Sequence, residues 1–526
     1  MTIRLILDMA AQGEADRAAL VPDDGEPMTF GGLAALADAG SALLRRLHGR
    51  SLAFIGVNSP AVPALLFAAA GAGVPFAPLN YRLSDHALHE LIARLDAPVL
   101  VTDPSYRVEP PGNVIASITT REWFDLLAAP GAADHGEHGE HDDHGDQPGA
   151  AEVPETSPAV LLFTSGTTSA PKCAVLRHTN LLSYVLGTVE FGSAAESDCA
   201  LLSVPPYHIA GIGAVLTNAY SGRKVAYLTD FTPEGWLDVV RSRRVSHAMV
   251  VPTMLARIVE HLGDRPADCP SLTTLAYGGA RMPLPVLTRA LEAFPATGFV
   301  NAYGLTETSS TIAVLGPGDH REAVASGEPH RLTSVGRVVP GIEAQIRDGD
   351  GRAVPGGTAG ELWVRGPQVS GEYTGLGSVL DADGWFPTRD LARIDGQGYL
   401  YVEGRADDTI IRGGENIAPA EIEDVLLSHA AVREAAVVGM PDPDWGQRLV
   451  AVVVLAERAD PTGPGSEELA EPQEQIAAEL RAFVRSRLRG SRTPDEVVFR
   501  NELPYTPTGK VLRREIVAGL ASPTHA

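Results

Sequence analysis

The stretch LLFTSGTTSAPKCAV, residues 161–175, joins an apolar, strand-like lead to a loop of small hydroxyl residues. Five hydroxyl side chains and one glycine lie between Thr164 and Ser169, and Pro171 and Lys172 follow. Backbone N–H groups and hydroxyls can donate to phosphate oxygens, while a lysine ammonium neutralises their charge. The pattern therefore predicts a phosphate-binding loop after a buried strand. It lacks the GxxxxGK[ST] spacing of a Walker loop, and a plain polar turn is the alternative.

Outward from this stretch, apolar runs of strand length alternate with helical patterns over the first 300 residues. The strand-like runs are LAFIGV (52–57), PVLVT (98–102), AVLLF (159–163), KVAYL (224–228), HAMVV (247–251) and TLAY (274–277). The helical stretches between them include ALLFAAAGAG (64–73), HALHELIARL (86–95) and GWLDVVRSRR (235–244). This alternation predicts doubly wound α/β units with parallel strands.

The pattern changes in the last third of the chain. Short strands with glycine turns, IEAQIR, GELWVR and GYLYVEG, predict a β-rich subdomain within 340–403. From about 405 we expect a smaller α+β unit. Its predicted elements are helices near 419–428 and 474–488 and strands at 432–438 and 449–455. The expected architecture is a large N-terminal domain, 1–404, built from two α/β subdomains and the β-rich one, followed by a small domain, 405–526.

Length and composition limit the possible functions. A chain of 526 residues exceeds one ordinary domain, and its net charge of −24 argues against nucleic-acid or anionic-membrane surfaces. No apolar run is long enough to span a membrane, and acidic residues follow the N-terminus too soon for a signal peptide. Cys173, Cys199 and Cys269 have no CxxC spacing and suit a reducing compartment. We therefore expect a cytoplasmic protein.

A low-complexity segment, 132–157, is acidic and histidine-rich. His135, His138, His141 and His144 recur at every third residue, so a metal-binding loop is one interpretation. The segment has few apolar residues to bury, and a flexible, solvated connector is the interpretation we favour.

Three further motifs carry charged groups suited to nucleotide chemistry. In NAYGLTET (301–308), Glu307 could hold Mg²⁺ and Thr306 could donate to a phosphate oxygen. In GWFPTRDLARIDGQGYLYVEGRADD (384–408), Asp390 could accept hydrogen bonds from both hydroxyls of a ribose, and Arg405 follows later in the same motif. Lys510 lies on a loop of proline, threonine and glycine, where a surface lysine is the alternative.

Taken together, these motifs resemble the adenylate-forming superfamily of acyl-CoA synthetases, nonribosomal-peptide adenylation domains and luciferases. The similarity covers nearly the whole chain, with the motifs in the family's order. They are TSGTTSAPK (164–172), PPYHIAGI (205–212), YGGA (277–280), NAYGLTE (301–307), SVGRVVPG (334–341), GELWVRGP (360–367), TRDLARIDGQGYLYVEGR (388–405), IRGGENIAPAEIE (411–423), PDPDWGQ (441–447) and PYTPTGK (504–510).

The resemblance implies two half-reactions that use ATP, Mg²⁺ and a thiol, with coenzyme A as the expected acceptor. A carboxylate attacks the α-phosphate of ATP, and a thiol then displaces AMP from the acyl-adenylate. It implies that Lys510 bridges the carboxylate and α-phosphate, that Glu307 holds Mg²⁺ and that Thr306 contacts the α-phosphate. The implied nucleotide-binding residues are Thr164, Ser165, Gly166, Thr167, Thr168, Lys172, Gly279, Ala280, Asn301, Tyr303, Gly304, Asp390 and Arg405. Among these, Tyr303 is implied to stack by the adenine.

The resemblance also implies a mobile C-terminal domain that acts as a catalytic lid. Its hinge maps to Asp407 in GRADD, where a solvated turn acid is the alternative. Gly413 and Gly414 would line a thiol tunnel after the domain rotates. Two residues depart from the family's usual TSGTTGxPKG loop, Ser169 and Cys173. Both are small, so we expect the phosphate loop to survive, with Cys173 as a packed residue rather than a reactive thiol.

The resemblance places the acid pocket around three short segments of the chain. The expected pocket residues are His208, Ile209, Gly211, Gly278, Leu305 and Ser309. They are mostly small and apolar, and no aspartate matches the amino-group partner of amino-acid adenylation domains. We therefore expect an aliphatic or aryl carboxylic acid. His208, which we also include among the catalytic candidates, could be a gate, a substrate contact or a packed histidine.

Other functions stay open from the sequence. No carrier domain follows residue 526, so we expect the thiol to arrive in trans, from coenzyme A or from an acyl-carrier protein. Adenylation of an unusual small oxyanion such as nitrite is a further alternative. A non-enzymatic nucleotide sensor predicts loss of Lys510, Glu307 or Asp390, and all three are present. A metal-binding protein would depend on the histidine-rich segment.

Overall fold

The computed structural model describes residues 1–22, 25–128, 153–164, 171–413, 415–456, 470–488, 490–506 and 510–521. Most of the histidine-rich segment and several predicted phosphate-loop and tunnel positions lie outside these residues, namely Ser165, Gly166, Thr167, Thr168, Ser169 and Gly414. The α-helices of the described residues are Arg4–Gly13, Phe30–Leu47, Ala61–Ala72, Asp85–Ala93, Thr120–Ala128, His178–Thr188, Ile209–Ser221, Pro233–Ser242, Pro252–Leu262, Leu284–Ala293, Pro317–Ser326, Pro419–Leu427, Ala470–Arg487 and Arg513–Ala521. The 3-10 helices are Thr306–Thr308, Pro329–Thr333, Ala406–Asp408 and Gly490–Arg492.

The larger sheet in the described part of the chain has nine strands, and its central strands are parallel. In spatial order they are Arg337–Val338, Ser310–Leu315, Gly298–Leu305, Thr274–Gly278, His247–Val250, Cys199–Leu202, Lys224–Tyr227, Ala18–Val21 and Met28–Thr29. Ala200 and Leu202 join one apolar cluster and Leu201 joins another, so both faces of their strand are buried. Burial on both faces explains why these strands are continuous apolar runs.

The second sheet has eight strands among the described residues, again with a parallel centre. In spatial order they are Gly377–Ser378, Glu372–Tyr373, Lys172–Arg177, Pro158–Thr164, Phe76–Leu79, Ser51–Ile55, Pro98–Thr102 and Ala116–Thr119. Leu52 of this sheet and Leu202 of the first belong to one apolar cluster. The shared core packs the two sheets into one large domain, and it confirms the predicted doubly wound α/β class.

The remaining strands form smaller antiparallel and mixed sheets. The β-rich subdomain is a four-stranded antiparallel sheet, with Glu343–Arg347, Gly360–Arg365, Phe386–Ile394 and Leu400–Arg405 in spatial order. The small domain contains the pair Ile410–Arg412 and Glu415–Ile417 and the sheet Val432–Asp442, Gly446–Leu455 and Glu496–Phe499. Helices pack on the latter, where Val437 and Val438 enter separate apolar clusters, as the predicted α+β unit requires. Within the described residues, no helix has the length and apolarity needed to cross a membrane.

Candidate active site

Several of the predicted nucleotide residues lie at or near the ends of strands in the two large sheets. Strand Thr274–Gly278 leads into Gly279, and the neighbouring parallel strand Gly298–Leu305 leads into Thr306. On the second sheet, Pro158–Thr164 ends where the predicted phosphate loop begins. In open α/β sheets, ligands bind in the crevice outside the carboxyl ends of parallel strands. The fold therefore brings motifs from both sheets to the edge at which such ligands bind.

Two glycines permit the close backbone packing at this edge. A Cβ atom on Gly304 would lie 1.8 Å from the Ser310 carbonyl oxygen, and one on Gly278 would lie 2.3 Å from that of Ala302. Neither contact is possible for a residue with a side chain unless the backbone moves. The loop that continues from Gly278 through Gly279 and Ala280 is thereby held against the next strand.

Asp390 and Arg405 face each other on neighbouring antiparallel strands. Arg405 Nη1 donates to Asp390 Oδ1 at 2.9 Å, and the Tyr303 hydroxyl donates to Asp390 Oδ2 at 2.5 Å. Burial, followed by the charge of Asp390, raises the pKa of Tyr303 well above its usual value, so the phenol stays protonated. Asp390 is only 5% exposed, yet each carboxylate oxygen has a second lone pair that can accept from a ligand hydroxyl.

Tyr373 connects two predicted site residues, and the sequence analysis did not identify it. Its hydroxyl donates to Glu307 Oε1 at 2.6 Å, and the Lys172 Nζ atom lies 5.3 Å from its ring centre. The strand containing Tyr373 pairs with Ala174, just beyond Lys172, which brings distant segments together. Because this pairing is non-local, the short sequence GEYTGL gives no signal of it beyond the presence of an aromatic residue.

Lys510 reaches the cleft from the small domain. Its backbone N–H donates to Thr506 Oγ1 at 2.9 Å, and its carbonyl accepts from the Thr506 N–H at 2.7 Å, which closes the loop. The residue as a whole is exposed to solvent. Burial and then Arg405 lower the pKa of Lys510, while Asp390 and Glu307 oppose that shift. The last motif of the chain therefore lies beside the two predicted nucleotide carboxylates.

The predicted acid side of the cleft contains buried polar atoms without partners among the described residues. They are His208 Nε2, the Tyr207 hydroxyl and Ser309 Oγ. The His208 and Tyr207 rings lie 4.5 Å apart. Burial, followed by the charges of Lys510 and Arg82, lowers the pKa of His208 to about 3, so the imidazole is neutral. Tyr207 precedes His208 in the predicted pocket motif, but nothing in the sequence indicated that its hydroxyl would be buried.

Four other predicted residues lie on the helix that follows His208 or on the strand Gly298–Leu305. Ile209 begins the helix Ile209–Ser221, and Gly211, in its first turn, lies against the Pro205 carbonyl. Leu305 ends its strand, and its N–H donates to Thr308 Oγ1 at 2.9 Å. Asn301 lies earlier in that strand, and its side-chain amide donates to the Ser334 carbonyl at 3.2 Å.

The predicted hinge and tunnel residues lie at the start of the small domain. Asp407 lies in the 3-10 helix Ala406–Asp408, directly after the last strand of the β-rich sheet. Gly413 has a φ of +57°, and its N–H donates to the Trp445 carbonyl at 2.8 Å. Cys173 is 3% exposed and burial raises its pKa, as expected for a packed residue.

Comparisons with known proteins identify the family of the chain. A family model for AMP-binding enzymes matches residues 7–374, and one for the AMP-binding enzyme C-terminal domain matches residues 421–510. Feruloyl-CoA synthase from Amycolatopsis sp is 35% identical over 475 residues, which are 89% of this chain and 88% of that protein. A fatty acid–[acyl-carrier-protein] ligase from Streptomyces coeruleorubidus is 31% identical over 89% of this chain and 86% of its own.

Solved structures extend the similarity to both domains. The o-succinylbenzoate-CoA synthetase from Bacillus subtilis, in complex with its acyl-adenylate intermediate, superposes with a TM-score of 0.79 at 28% identity, over 97% of each chain. The same synthetase with ATP and magnesium gives 0.77 at 28% identity, over 97% of this chain and 98% of its own. The protein belongs to the AMP-binding enzyme family of adenylate-forming acyl-CoA synthetases. The predicted family and the predicted class of AMP-forming acid–thiol ligase are confirmed.

Proposed function

We propose that the protein adenylates an aliphatic or aryl carboxylic acid with ATP and Mg²⁺ and transfers the acyl group to coenzyme A. The observation that carries the proposal is the hydrogen-bonded set around Asp390, in which Tyr303 and Arg405 both donate to the carboxylate. Lys510 is near enough to this carboxylate and to Glu307 for their charges to oppose the lowering of its pKa by burial. We also propose a cytoplasmic location, in which the three cysteines, all free, stay reduced.

In the first half-reaction, a carboxylate oxygen attacks the α-phosphorus of ATP. The new O–P bond forms as the bond to the β-phosphate oxygen breaks, and pyrophosphate leaves. Negative charge gathers between the two reactants, where a preplaced cation stabilises the transition state most. Lys510 supplies that cation, and Thr306 donates to the α-phosphate.

The nucleotide is held by groups that the fold has already oriented. Asp390 accepts from the ribose hydroxyls, with Arg405 fixing the carboxylate, and Tyr303 lies beside the adenine. Gly279 and Ala280 form the edge of the adenine site. Their positions follow from the paired strands described above.

The outer phosphates lie between the phosphate loop and Glu307 in this proposal. Lys172 neutralises part of their charge. Glu307 offers a carboxylate near Lys172, joined to it through Tyr373, and Mg²⁺ is commonly bound by one or two carboxylates together with substrate phosphates. The residues present therefore fit the ion, which when bound would neutralise phosphate charge.

In the second half-reaction, the thiol sulfur attacks the acyl carbonyl carbon. The carbon–oxygen bond to AMP breaks, and the thiol proton passes to solvent. We propose that the small domain first rotates about Asp407, which withdraws Lys510 and brings Gly413 to the thiol path. This step requires no contact from Lys510.

Coenzyme A is the acceptor we propose on the basis of the relatives. Feruloyl-CoA synthase is more similar to this chain than the acyl-carrier-protein ligase is, at 35% against 31% identity. Both acceptors present a thiol on a flexible arm, so the chemistry of the cleft would be the same for either.

The proposal is tested by measuring pyrophosphate release across a panel of aliphatic and aryl acids. Each acid is assayed alone, with coenzyme A and with a phosphopantetheinylated carrier protein, and the products are identified by mass. We expect acid-dependent release that coenzyme A accelerates, together with an acyl-CoA product. If the thioester forms only on the carrier protein, the acceptor is the carrier protein and not coenzyme A. If pyrophosphate is released without any acid, the proposed function is wrong.

A further inference from the structure

An ion pair joins the large domain to the small domain beside the candidate adenine loop. Arg281 follows Ala280 directly, and its Nη2 atom donates to Asp424 Oδ2. Asp424 lies on the helix Pro419–Leu427, the first helix of the small domain. The two side chains keep 40% and 39% of their surface exposed, so solvent reaches the pair from one side.

A second ion pair connects that helix to the loop of Lys510. Glu423, next to Asp424, accepts from Arg513 Nη2 at 2.6 Å and from the Val437 N–H at 2.8 Å. Arg513 begins the helix that follows Lys510 within the same short segment. The side chains of Glu423 and Arg513 are more sheltered than the outer pair, at 15% and 22% exposure. The helix that contains Asp424 is therefore bonded through Glu423 to the segment that contains Lys510.

The two ion pairs make different demands on a domain rotation. The pair of Glu423 and Arg513 lies wholly within the small domain and can move with it. The pair of Arg281 and Asp424 spans the two domains, so it must break when the small domain turns away. An interaction present in only one of two arrangements shifts the population between them.

We propose that Arg281 and Asp424 form a latch that favours the arrangement with Lys510 in the cleft. Both are positioning residues for adenylation in this proposal, because they act through the segment that contains Lys510. The latch rests on the proposed function, which assigns the first half-reaction to this arrangement. It opposes the second half-reaction, for which the same contact has to break.

The test uses Arg281→Glu, Asp424→Arg and the double swap, each in the full-length protein. ATP–pyrophosphate exchange is measured with the acid that releases pyrophosphate fastest, and thioester formation is measured from the supplied acyl-adenylate. Partly exposed pairs are weak, and a reversal places like charges against each other, so we expect each single reversal to lower exchange about three- to fivefold. Thioester formation should be unchanged or faster, and the double swap should restore exchange to within about twofold.

A matched control separates the latch from a general change of charge. Arg289→Glu breaks the exposed pair of Arg289 and Asp264, which lies within the large domain with its atoms 3.1 Å apart. It changes the net charge as Arg281→Glu does, and we expect both half-reactions to stay at the wild-type rate.

The distance between two spin labels, one on each domain, tests the latch without any measurement of turnover. Spin labels are placed at Arg321→Cys and Arg485→Cys, two exposed helical positions in different domains, on a Cys269→Ser background. We expect Arg281→Glu to populate a second distance and the double swap to remove it. A wild-type distribution in Arg281→Glu, or equal losses in both half-reactions without rescue, overturns the latch. If the wild-type protein shows no exchange but Arg281→Glu still shifts the inter-domain distance, the proposed function is wrong. The effect of the ion pair on the arrangement of the two domains would still hold.

Discussion

The two sides of the cleft differ in how their polar groups are satisfied. On the nucleotide side, both oxygens of Asp390 accept hydrogen bonds, and Glu307 accepts from Tyr373. On the acid side, His208 and Ser309 have buried polar atoms that lack partners among the described residues. The first side is oriented before a ligand arrives, whereas the second still has hydrogen-bonding capacity to offer.

This difference matches the two substrates we propose. The nucleotide is the same in every turnover. Groups that are already oriented do not have to reorganise when charge develops on the phosphate. A buried polar atom without a partner costs about 1–3 kcal/mol, so a substrate that supplies the partner recovers that cost. We infer that the nucleotide side supplies the chemistry and that the acid side supplies selectivity.

The largest expected effect breaks the chemistry of the nucleotide side. Lys510→Ala removes the cation between carboxylate and α-phosphate, and losing one such stabilising group lowers a rate about a hundred- to a thousandfold. ATP–pyrophosphate exchange should fall by that factor, while thioester formation from a supplied acyl-adenylate stays within about twofold. Equal losses in the two assays would show that the lysine serves the fold or both half-reactions.

The next effect separates the outer phosphates from the rest of the nucleotide. Lys172→Ala removes a charge-assisted contact of about 1.5–3 kcal/mol, so ATP should bind roughly ten- to a hundredfold more weakly. AMP lacks the outer phosphates, and its affinity should hardly change. Calorimetric titration with both nucleotides tests this, and equal losses for ATP and AMP would place Lys172 elsewhere in the site.

The contrast between the two sides also shows what sequence can predict. Strand Pro158–Thr164 follows from an apolar run, which is a local property of the sequence. The motif order indicated that Asp390 and Arg405 belong to one site, but the strand that contains Asp390 and pairs it with Arg405 was not predicted. The contact of Tyr373 with Glu307 depends on strand pairing far along the chain, and local pattern cannot encode it.

The acid side was predictable only as a location. The motif around His208 indicated a pocket, but which of its polar atoms would be left without partners depends on packing from several elements. The contact of Arg281 with Asp424 is still less accessible to sequence reasoning, because it depends on how two domains meet.

A smaller effect concerns pH and tests the neutral state of His208. Its pKa in the folded protein is about 3, below the 6.5 of an unperturbed histidine, so the unfolded chain binds the extra proton first. The neutral His208 therefore makes its full contribution to the free energy of unfolding above pH 6.5. That contribution is lost as the pH falls toward 3. By pH 5.5 the loss should be about 1 kcal/mol in the free energy of unfolding.

Denaturant unfolding between pH 7 and 5.5 measures that loss. His208→Gln should lose less stability over this interval than the wild type does. His330→Gln, which replaces an exposed histidine, serves as the control. His178 and His247 also have pKa values lowered by burial, to about 4, and they contribute equally to all three proteins. Equal slopes in His208→Gln and wild type would contradict a buried neutral imidazole.

The smallest effect sharpens the acid side. Ser309 is fully buried, has a φ of +53°, and its Oγ atom lacks a partner among the described residues. Ser309→Ala keeps the Cβ atom and removes only the hydroxyl, so the free energy of unfolding should stay within about 1 kcal/mol or rise. We expect the substrate acid to accept a hydrogen bond from this hydroxyl. The KM for the acid should then increase about two- to tenfold in Ser309→Ala, with the KM for ATP unchanged. Steady-state kinetics on the best acid measures both, with Ser326→Ala, an exposed helical serine, as the control. If Ser309→Ala is more stable and its KM for the acid is unchanged, the buried hydroxyl does not contact the acid. The selectivity of the acid side would then depend on His208 and Tyr207.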